Sequence, residues 1–460
     1  MAIDVKRYEE DIAREIGNLV RIPSVETPAL PGMPFGKGCA EVLEAALALG
    51  RSLGFETLNV DNYAGHIEYG SGPETIAVLC HLDVVPEGEG WDTPPFSGII
   101  QDGKVLGRGS ADNKGPAVAS LYAIKALADA GIMNPNMKIR LILGCNEESG
   151  MACMTHYFSK QPLPAFGFSP DAGYPACNRE KGILRFDFVS AGEDAGIRLE
   201  AGRAYNSVPD KCVLTVPGTL FESMTAVCAS YADAQAVVER VGDDVQVTLH
   251  GQAAHAARPD AGKNAALHML RMLGQSEVRL PERMQAFATF LRDKIGLECS
   301  GAAMGVAMED EPSGDLTLSV GMLHMGPEGC RACVDIRYPV TADGQEIIDT
   351  LTKAAQAAGI EGVVNHHSEP LYVPEDHPML QKLLKAYTKV TGLPGTTYAM
   401  GGGTYARSLK GNGVAFGPGL PDVVHESSGG GAHQANECVW IEDMVKHAEI
   451  CAATLAELLG

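Results

Sequence analysis

No run of about 18 apolar residues occurs in the 460-residue chain, so no segment could span a bilayer as a helix. Basic residues are scarce: 36 Lys and Arg stand against 58 Asp and Glu, a formal charge of −22. Phosphate backbones and anionic lipid surfaces are met by clustered Lys and Arg, so this balance argues against nucleic acid or membrane as a partner. Internal repeats and low-complexity stretches are missing, and so is a phosphate loop. Gly401-Gly402-Gly403-Thr404-Tyr405-Ala406-Arg407 is glycine-rich, but it lacks a preceding strand and a Lys or acidic partner at the required spacing. It reads instead as a tight backbone turn near substrate, which disfavours a nucleotide-dependent enzyme.

The chain also lacks a basic start followed by an apolar stretch. Residues 1–21 carry Ile3, Tyr8, Ile12, Ile16 and Leu19 at helical spacing between charged residues, an amphipathic helix. Twelve irregularly spaced cysteines without a signal peptide imply reduced thiols and a cytoplasmic location. The one Cys-x-x-Cys, Cys330 and Cys333, has no second pair and lies in an alternating, strand-like stretch. Residues three apart on a strand face opposite ways, so shared metal or redox chemistry is not expected there.

A chain of this length exceeds one ordinary core and implies two or three domains. Residues 75–80 and 138–145 are short, mostly apolar runs of the kind buried in parallel sheets. Between them residues 116–130 read as a helix stopped by Gly131, and strand, helix, strand implies an α/β sheet with a right-handed crossover. Open α/β sheets bind ligands beyond the carboxyl ends of their strands. His81 and Asp83 follow the first run directly, and Glu147 and Glu148 follow the second.

From about residue 180 the texture changes to alternating strands (185–189, 245–249 and 316–320) with helical stretches at 229–240 and 265–273. This predicts an α+β domain, residues 180–369, inserted into a first domain of residues 1–179 and 370–460. The last part returns to helix (378–391), a glycine-rich loop and a final helix (436–459), so His433 comes back to the first domain.

Five possible metal ligands thus end or follow core-like segments: His81, Asp112, Glu148, Asp171 and His433. Taken singly, each has an ordinary alternative. Asp112 could be a helix N-cap, Asp171 a turn aspartate and His433 a surface loop histidine. Together, two histidines and three carboxylates can hold two divalent ions if one carboxylate bridges them, leaving Glu147 free as a base. Adjacent carboxylates after an apolar strand would otherwise repel. Asp83, two residues from His81 on extended backbone, points the same way and can fix the imidazole tautomer.

These segments resemble a family of co-catalytic metallopeptidases that includes glutamate carboxypeptidase, aminoacylase and the PepV-type dipeptidases. The matching motifs are Cys80-His81-Leu82-Asp83-Val84-Val85-Pro86, Gly107-Arg108-Gly109-Ser110-Ala111-Asp112-Asn113-Lys114-Gly115-Pro116, Asn146-Glu147-Glu148-Ser149-Gly150 and Ala432-His433-Gln434-Ala435-Asn436-Glu437. The resemblance covers essentially the whole chain and looks most like the PepV branch. It implies a zinc-peptidase-like catalytic domain, with a mixed, mostly parallel sheet flanked by helices, and an inserted α+β lid. His81 and Asp171 would bind one ion and Glu148 and His433 the other, with Asp112 bridging, Asp83 orienting His81, and Glu147 acting as general base on a metal-bridging water. Three lid residues match as well: His255 would donate to the oxyanion, Asn206 would contact substrate backbone, and Arg337 would bind the terminal carboxylate.

The resemblance thus implies a dipeptidase that uses two divalent ions, zinc or manganese, on short peptides with a free carboxylate. The cysteine usage points to the cytoplasm, and an inserted domain large enough to replace a dimer partner points to a monomer. The runner-up is an N-acyl-amino-acid amidohydrolase of the same family. Asp171 speaks against it, because in this family an Asp at that position goes with aminopeptidases and dipeptidases. The intact base beside a complete ligand set argues against a silent metal- or peptide-binding protein.

Overall fold

The structure, a computed structural model, describes residues 3–276, 278–421, 423, 425 and 429–460. The chain separates into two compact units. Met1–Arg179, Leu371–Ala399 and Gly403–Gly460 form the first, and Glu180–Pro370 with Met400–Gly402 forms the second.

The first unit is a mixed α/β structure around a mostly parallel sheet. Strand Glu74–His81 lies between Met137–Gly144 and Phe166–Ser169, parallel to both, and Phe166–Ser169 in turn pairs in parallel with Gly413–Ala415. Ala64–Gly70 and Glu56–Val60 extend the other side in antiparallel fashion. The central strand shows why its sequence does not alternate. Ile76, Ala77, Val78, Leu79 and Cys80 are all fully buried, because helices cover both faces of a parallel sheet. Helix Lys114–Asp129 is buried along most of its length and packs against Ile441–Leu459, which packs against Pro378–Thr391. The amphipathic N-terminal stretch is a short 3-10 turn, Lys6–Tyr8, and helix Glu9–Val20, with Tyr8, Ile12, Ile16 and Leu19 turned to the core.

The second unit is an antiparallel eight-stranded sheet with helices. Its strands run in the order Gln235–Val241, Asp244–His250, Lys211–Pro217, Arg198–Ala201, Thr317–Gly326, Gly329–Tyr338, Gly182–Ser190 and Glu361–Ser368. Strand Gly182–Ser190 buries Leu184, Phe186 and Phe188, the alternate residues of a sheet with one covered face.

Two expectations fail here. Of residues 229–240 only the first two are helical: the helix is Phe221–Ser230, and Gln235–Val241 forms a hairpin with Asp244–His250. Three valines favour the strand, and Gly242, at φ +63°, supplies the left-handed turn that closes it. Likewise the last helix starts at Ile441 rather than 436, because Cys438–Trp440 is a strand paired with Lys104–Leu106. Cys330 and Cys333 lie on strand Gly329–Tyr338, and all twelve cysteines are free thiols.

Candidate metal centre

Four loops at the carboxyl edge of the sheet bring the acidic residues together in the first unit. His81 ends its strand in register with Gly144, three residues before Glu147. Asp171 follows strand Phe166–Ser169, and Asp112 precedes helix Lys114–Asp129. His433 sits in the turn before Cys438–Trp440 with φ +65°, a left-handed conformation unusual for a side chain-bearing residue.

The Asp112 carboxylate lies between both histidines. Its Oδ1 is 2.8 Å from His81 Nε2, and its Oδ2 is 3.1 Å from His433 Nε2. Asp171 Oδ1 stands 3.7 Å from His81 Nε2, and Glu148 Oε1 stands 3.1 Å from His433 Nε2. Donor atoms of His81, Glu147 and Asp171 gather within 4.8 Å of one another, as do those of His81, Asp112 and Glu148. His81 is 1 % exposed and His433 53 %, so one end of the cluster is deep and the other opens to solvent. The nearer partner of His81 Nδ1 is the Asp83 carbonyl, at 2.9 Å; the Asp83 carboxylate is at 3.6 Å and accepts from the Glu148 backbone N–H.

Electrostatics follow from this crowding. Burial, then the nearby charge of Asp171, pushes the Glu147 carboxyl well above its usual range, and burial likewise raises Asp171. Burial works against a charged His81, but the carboxylates of Asp171, Asp112 and Asp83 outweigh it and hold its pKa high. Hydrogen bonds to Asp112 and Glu148 lift His433 to about 10. Burial opposes an ionised Asp112 too, yet its bonds from both histidines win and hold it far below the carboxylate range.

This donor set fits a pair of divalent ions. Asp83, Asp112, Glu147, Glu148 and Asp171 converge on two imidazoles, while the Lys114 ammonium donates to the Leu19 and Ile22 carbonyls rather than to the cluster. Asp83 Oδ1 is buried without a hydrogen-bond partner and faces His81 Nδ1 at 3.6 Å. Mixed imidazole and carboxylate donors suit zinc and manganese.

The second unit holds His255, Asn206 and Arg337. Ser207 and His255 form an antiparallel bridge, and the Ala256 N–H donates to the Asn206 carbonyl, so Asn206 and His255 share one exposed loop pair. Arg337 is 4 % exposed. It forks onto both oxygens of Asp335 (2.6 and 3.0 Å) and donates to the Gly401 carbonyl at 2.7 Å. Three of its five N–H groups are thereby used.

Sequence reasoning missed several residues. Asn113 donates to the Pro170 carbonyl and to Asp171 Oδ1, at 2.7 and 3.1 Å. Glu26 accepts from Asn146 and Ser149, on either side of the paired glutamates. Glu437 and Arg108 form a buried ion pair. All of these lie in or next to the quoted motifs except Glu26, for which the sequence carries no signal.

Residues 77–457 match the profile of peptidase family M20/M25/M40. The chain is 36 % identical over 475 residues to "Putative dipeptidase YtjP" of Bacillus subtilis, covering 99 % of each. It is 35 % identical over 454 residues to "Putative dipeptidase SH1171" of Staphylococcus haemolyticus, covering 95 % of this chain and 94 % of that one. The chain belongs to the M20 peptidase family. The resemblance read from the four motifs is thus borne out, and the chain is a metal-dependent hydrolase.

Its fold is that of M20 structures. An M20 family metallo-carboxypeptidase of Sulfolobus solfataricus superposes with a TM-score of 0.61 at 16 % identity, over 98 % of this chain and 99 % of that one. The di-peptidase Dug1p of Saccharomyces cerevisiae gives 0.59 at 15 %, over 99 % and 97 %.

Proposed function

We propose that this M20 hydrolase is a di-metal dipeptidase acting on short peptides with a free C-terminal carboxylate. The observation that carries the reading is Asp112, whose two oxygens each meet a different histidine, the arrangement a bridging carboxylate requires. His81 and Asp171 would hold one ion, and Glu148 and His433 the other. Two bound ions, zinc or manganese, would polarise the scissile carbonyl and acidify water at the site.

The chain's own groups do the rest. Glu147, next to a ligand yet free of the histidine bonds that occupy Asp112 and Glu148, takes the proton of the attacking water and passes it to the leaving amine. Asp83 and its carbonyl hold the His81 ring. His255 donates to the developing oxyanion, and Asn206 contacts substrate backbone. Arg337 offers its two remaining N–H groups to the substrate carboxylate. Residues 180–369 are the inserted lid domain, and residues 1–179 and 370–460 are the catalytic domain. Relatives bearing dipeptidase names support this substrate class, and the twelve free cysteines support a cytoplasmic setting. The protein works as a monomer, the inserted domain taking the place of a partner.

A panel of free dipeptides, a tripeptide, N-acetylated amino acids and a C-terminally amidated dipeptide tests this on metal-stripped protein reloaded with zinc or manganese. Metal-dependent cleavage confined to free dipeptides is the expected result. Cleavage of the N-acetyl compounds instead would move the protein to the deacylase reading.

A further inference from the structure

We propose that Glu437, acting with Arg108, is the positioning residue that sets Asp112 and His433 against each other for metal binding. The inference rests on the reading of those two residues as ligands. Glu437 is completely buried. Its Oε1 accepts from three backbone N–H groups of one loop, those of Gly109 (3.0 Å), Ala111 (3.0 Å) and Asp112 (3.2 Å). Its Oε2 accepts from Arg108 Nη1, and its carbonyl accepts from the Gly107 N–H at 2.8 Å.

Arg108, 2 % exposed, spreads the junction further. It donates to the Gln434 carbonyl (3.3 Å), next to His433, and to the Glu87 and Pro86 carbonyls (3.2 and 3.4 Å), on the segment that follows Asp83. One buried ion pair therefore ties together the backbone of the three segments that carry His81, Asp112 and His433.

Local sequence explains why such a clamp is needed. Gly107 and Gly109 take φ values of +137° and +90°, conformations open to glycine, and glycine leaves the chain free to leave them. No side chain of its own can hold the Asp112 loop at those two positions. The three-fold acceptor Glu437 does so from outside, in a concavity of backbone N–H groups. His433 and Asn436 both sit at left-handed φ (+65° and +61°), in the turn that Arg108 grips through the Gln434 carbonyl.

Outer groups that orient ligands typically change metal affinity about 10–100-fold when altered. The test uses full-length, metal-stripped protein titrated with zinc or manganese against a chromophoric chelator. Glu437→Gln keeps the side chain's shape and an acceptor oxygen but removes the charge that Arg108 needs. It should weaken metal binding about 10–100-fold, Arg108→Gln should do the same, and the double variant should add little.

Glu68→Gln breaks another ion pair of the same unit, with Arg140 at 2.6 Å, away from these loops. It should lower thermal stability and leave metal affinity unchanged, which separates positioning from general stabilisation. Affinity within about two-fold of the parent in Glu437→Gln overturns the inference (a two-fold change is under about 0.5 kcal/mol). Asp112→Asn separates the two readings. Tight binding retained there removes the ligand assignment itself, whereas loss there with parental affinity in Glu437→Gln removes only the role of Glu437. If Glu437→Gln does not fold, Arg108→Lys decides on the same criterion, since its single ammonium cannot reach Glu437, Gln434 and Glu87 together.

Discussion

Asp112 is hydrogen-bonded to two imidazoles, whereas Glu147, a nearby carboxylate in the His81 and Asp171 group, is bonded to neither. That difference between residues is the basis for assigning one to binding and the other to proton transfer. Glu147→Gln should keep both metal equivalents while turnover falls by about 10²–10⁴. Metal analysis with steady-state rates checks this, and undiminished turnover would end the assignment.

Arg337 shows a second residue-scale constraint. Asp335 is completely buried and forked by Arg337, and the next guanidinium, Arg185, is 4.0 Å away. Arg337→Ala would strand a buried charge and should cost about 3–5 kcal/mol, read as a lowered urea midpoint. Arg337→Lys keeps the charge but not the fork. It should raise KM for free dipeptides far more than for amidated ones; equal effects on both would argue against anchoring.

At the scale of elements, the site depends on how helix Lys114–Asp129 begins. A Cβ on Gly115 would stand 2.2 Å from the Ser110 carbonyl oxygen, a backbone atom that can yield only by moving the Asp112 loop. Gly115→Ala should therefore destabilise the protein by about 1–3 kcal/mol and weaken metal binding with it. Thermal melting and metal titration test the pair of effects, and a variant with the parental metal affinity would show that the loop absorbs the methyl.

The same scale explains what was legible. Strands Glu74–His81 and Met137–Gly144 were readable because continuous apolar runs leave no other burial pattern. Strand Gln235–Val241 was misread because its burial is slight, so no strong alternation marks it, and only its hairpin partner makes it a strand. Asp171, Asp112 and His433 were readable as ligands only as a set, since each alone passes for a turn or a cap.

At the scale of the molecule, each unit has its own hydrophobic core, residues 5–176 with 371–459 in one and 184–360 in the other. Calorimetry should resolve separate transitions, of which zinc or manganese raises only that of the first unit, by about 2.7 kcal/mol per site at a hundred-fold excess over Kd. A metal-induced shift of both transitions would mean that the units unfold together.

Acidity acts on the first unit through two buried histidines. Burial, then the charge of Arg140, pushes His66 down to about 4, and burial pushes His447 down to about 3. Both stay neutral in the fold, whereas in the unfolded chain they protonate below about 6.5. Their contribution is therefore complete above pH 6.5 and is lost as pH falls toward 4, at up to about 1.4 kcal/mol per pH unit each. His447→Asn, which forfeits the bonds to Tyr174 and Ser120, should be less stable than the parent at pH 7.5, and the gap should narrow toward pH 5. Urea midpoints across that range check the sign, and a constant gap would contradict it.

The sequence alone determined the α/β class, the family and the inventory of acids and imidazoles. Burial periodicity and residue chemistry are local properties, and motif order survives in one dimension. Only the tertiary structure decided that Asp112 lies between His81 and His433, that the Arg337 fork is already spent on Asp335, and that Glu437 grips the loop of Asp112. Those facts concern which atoms come within hydrogen-bonding reach across hundreds of residues, and that is set by the packing of loops at a sheet edge.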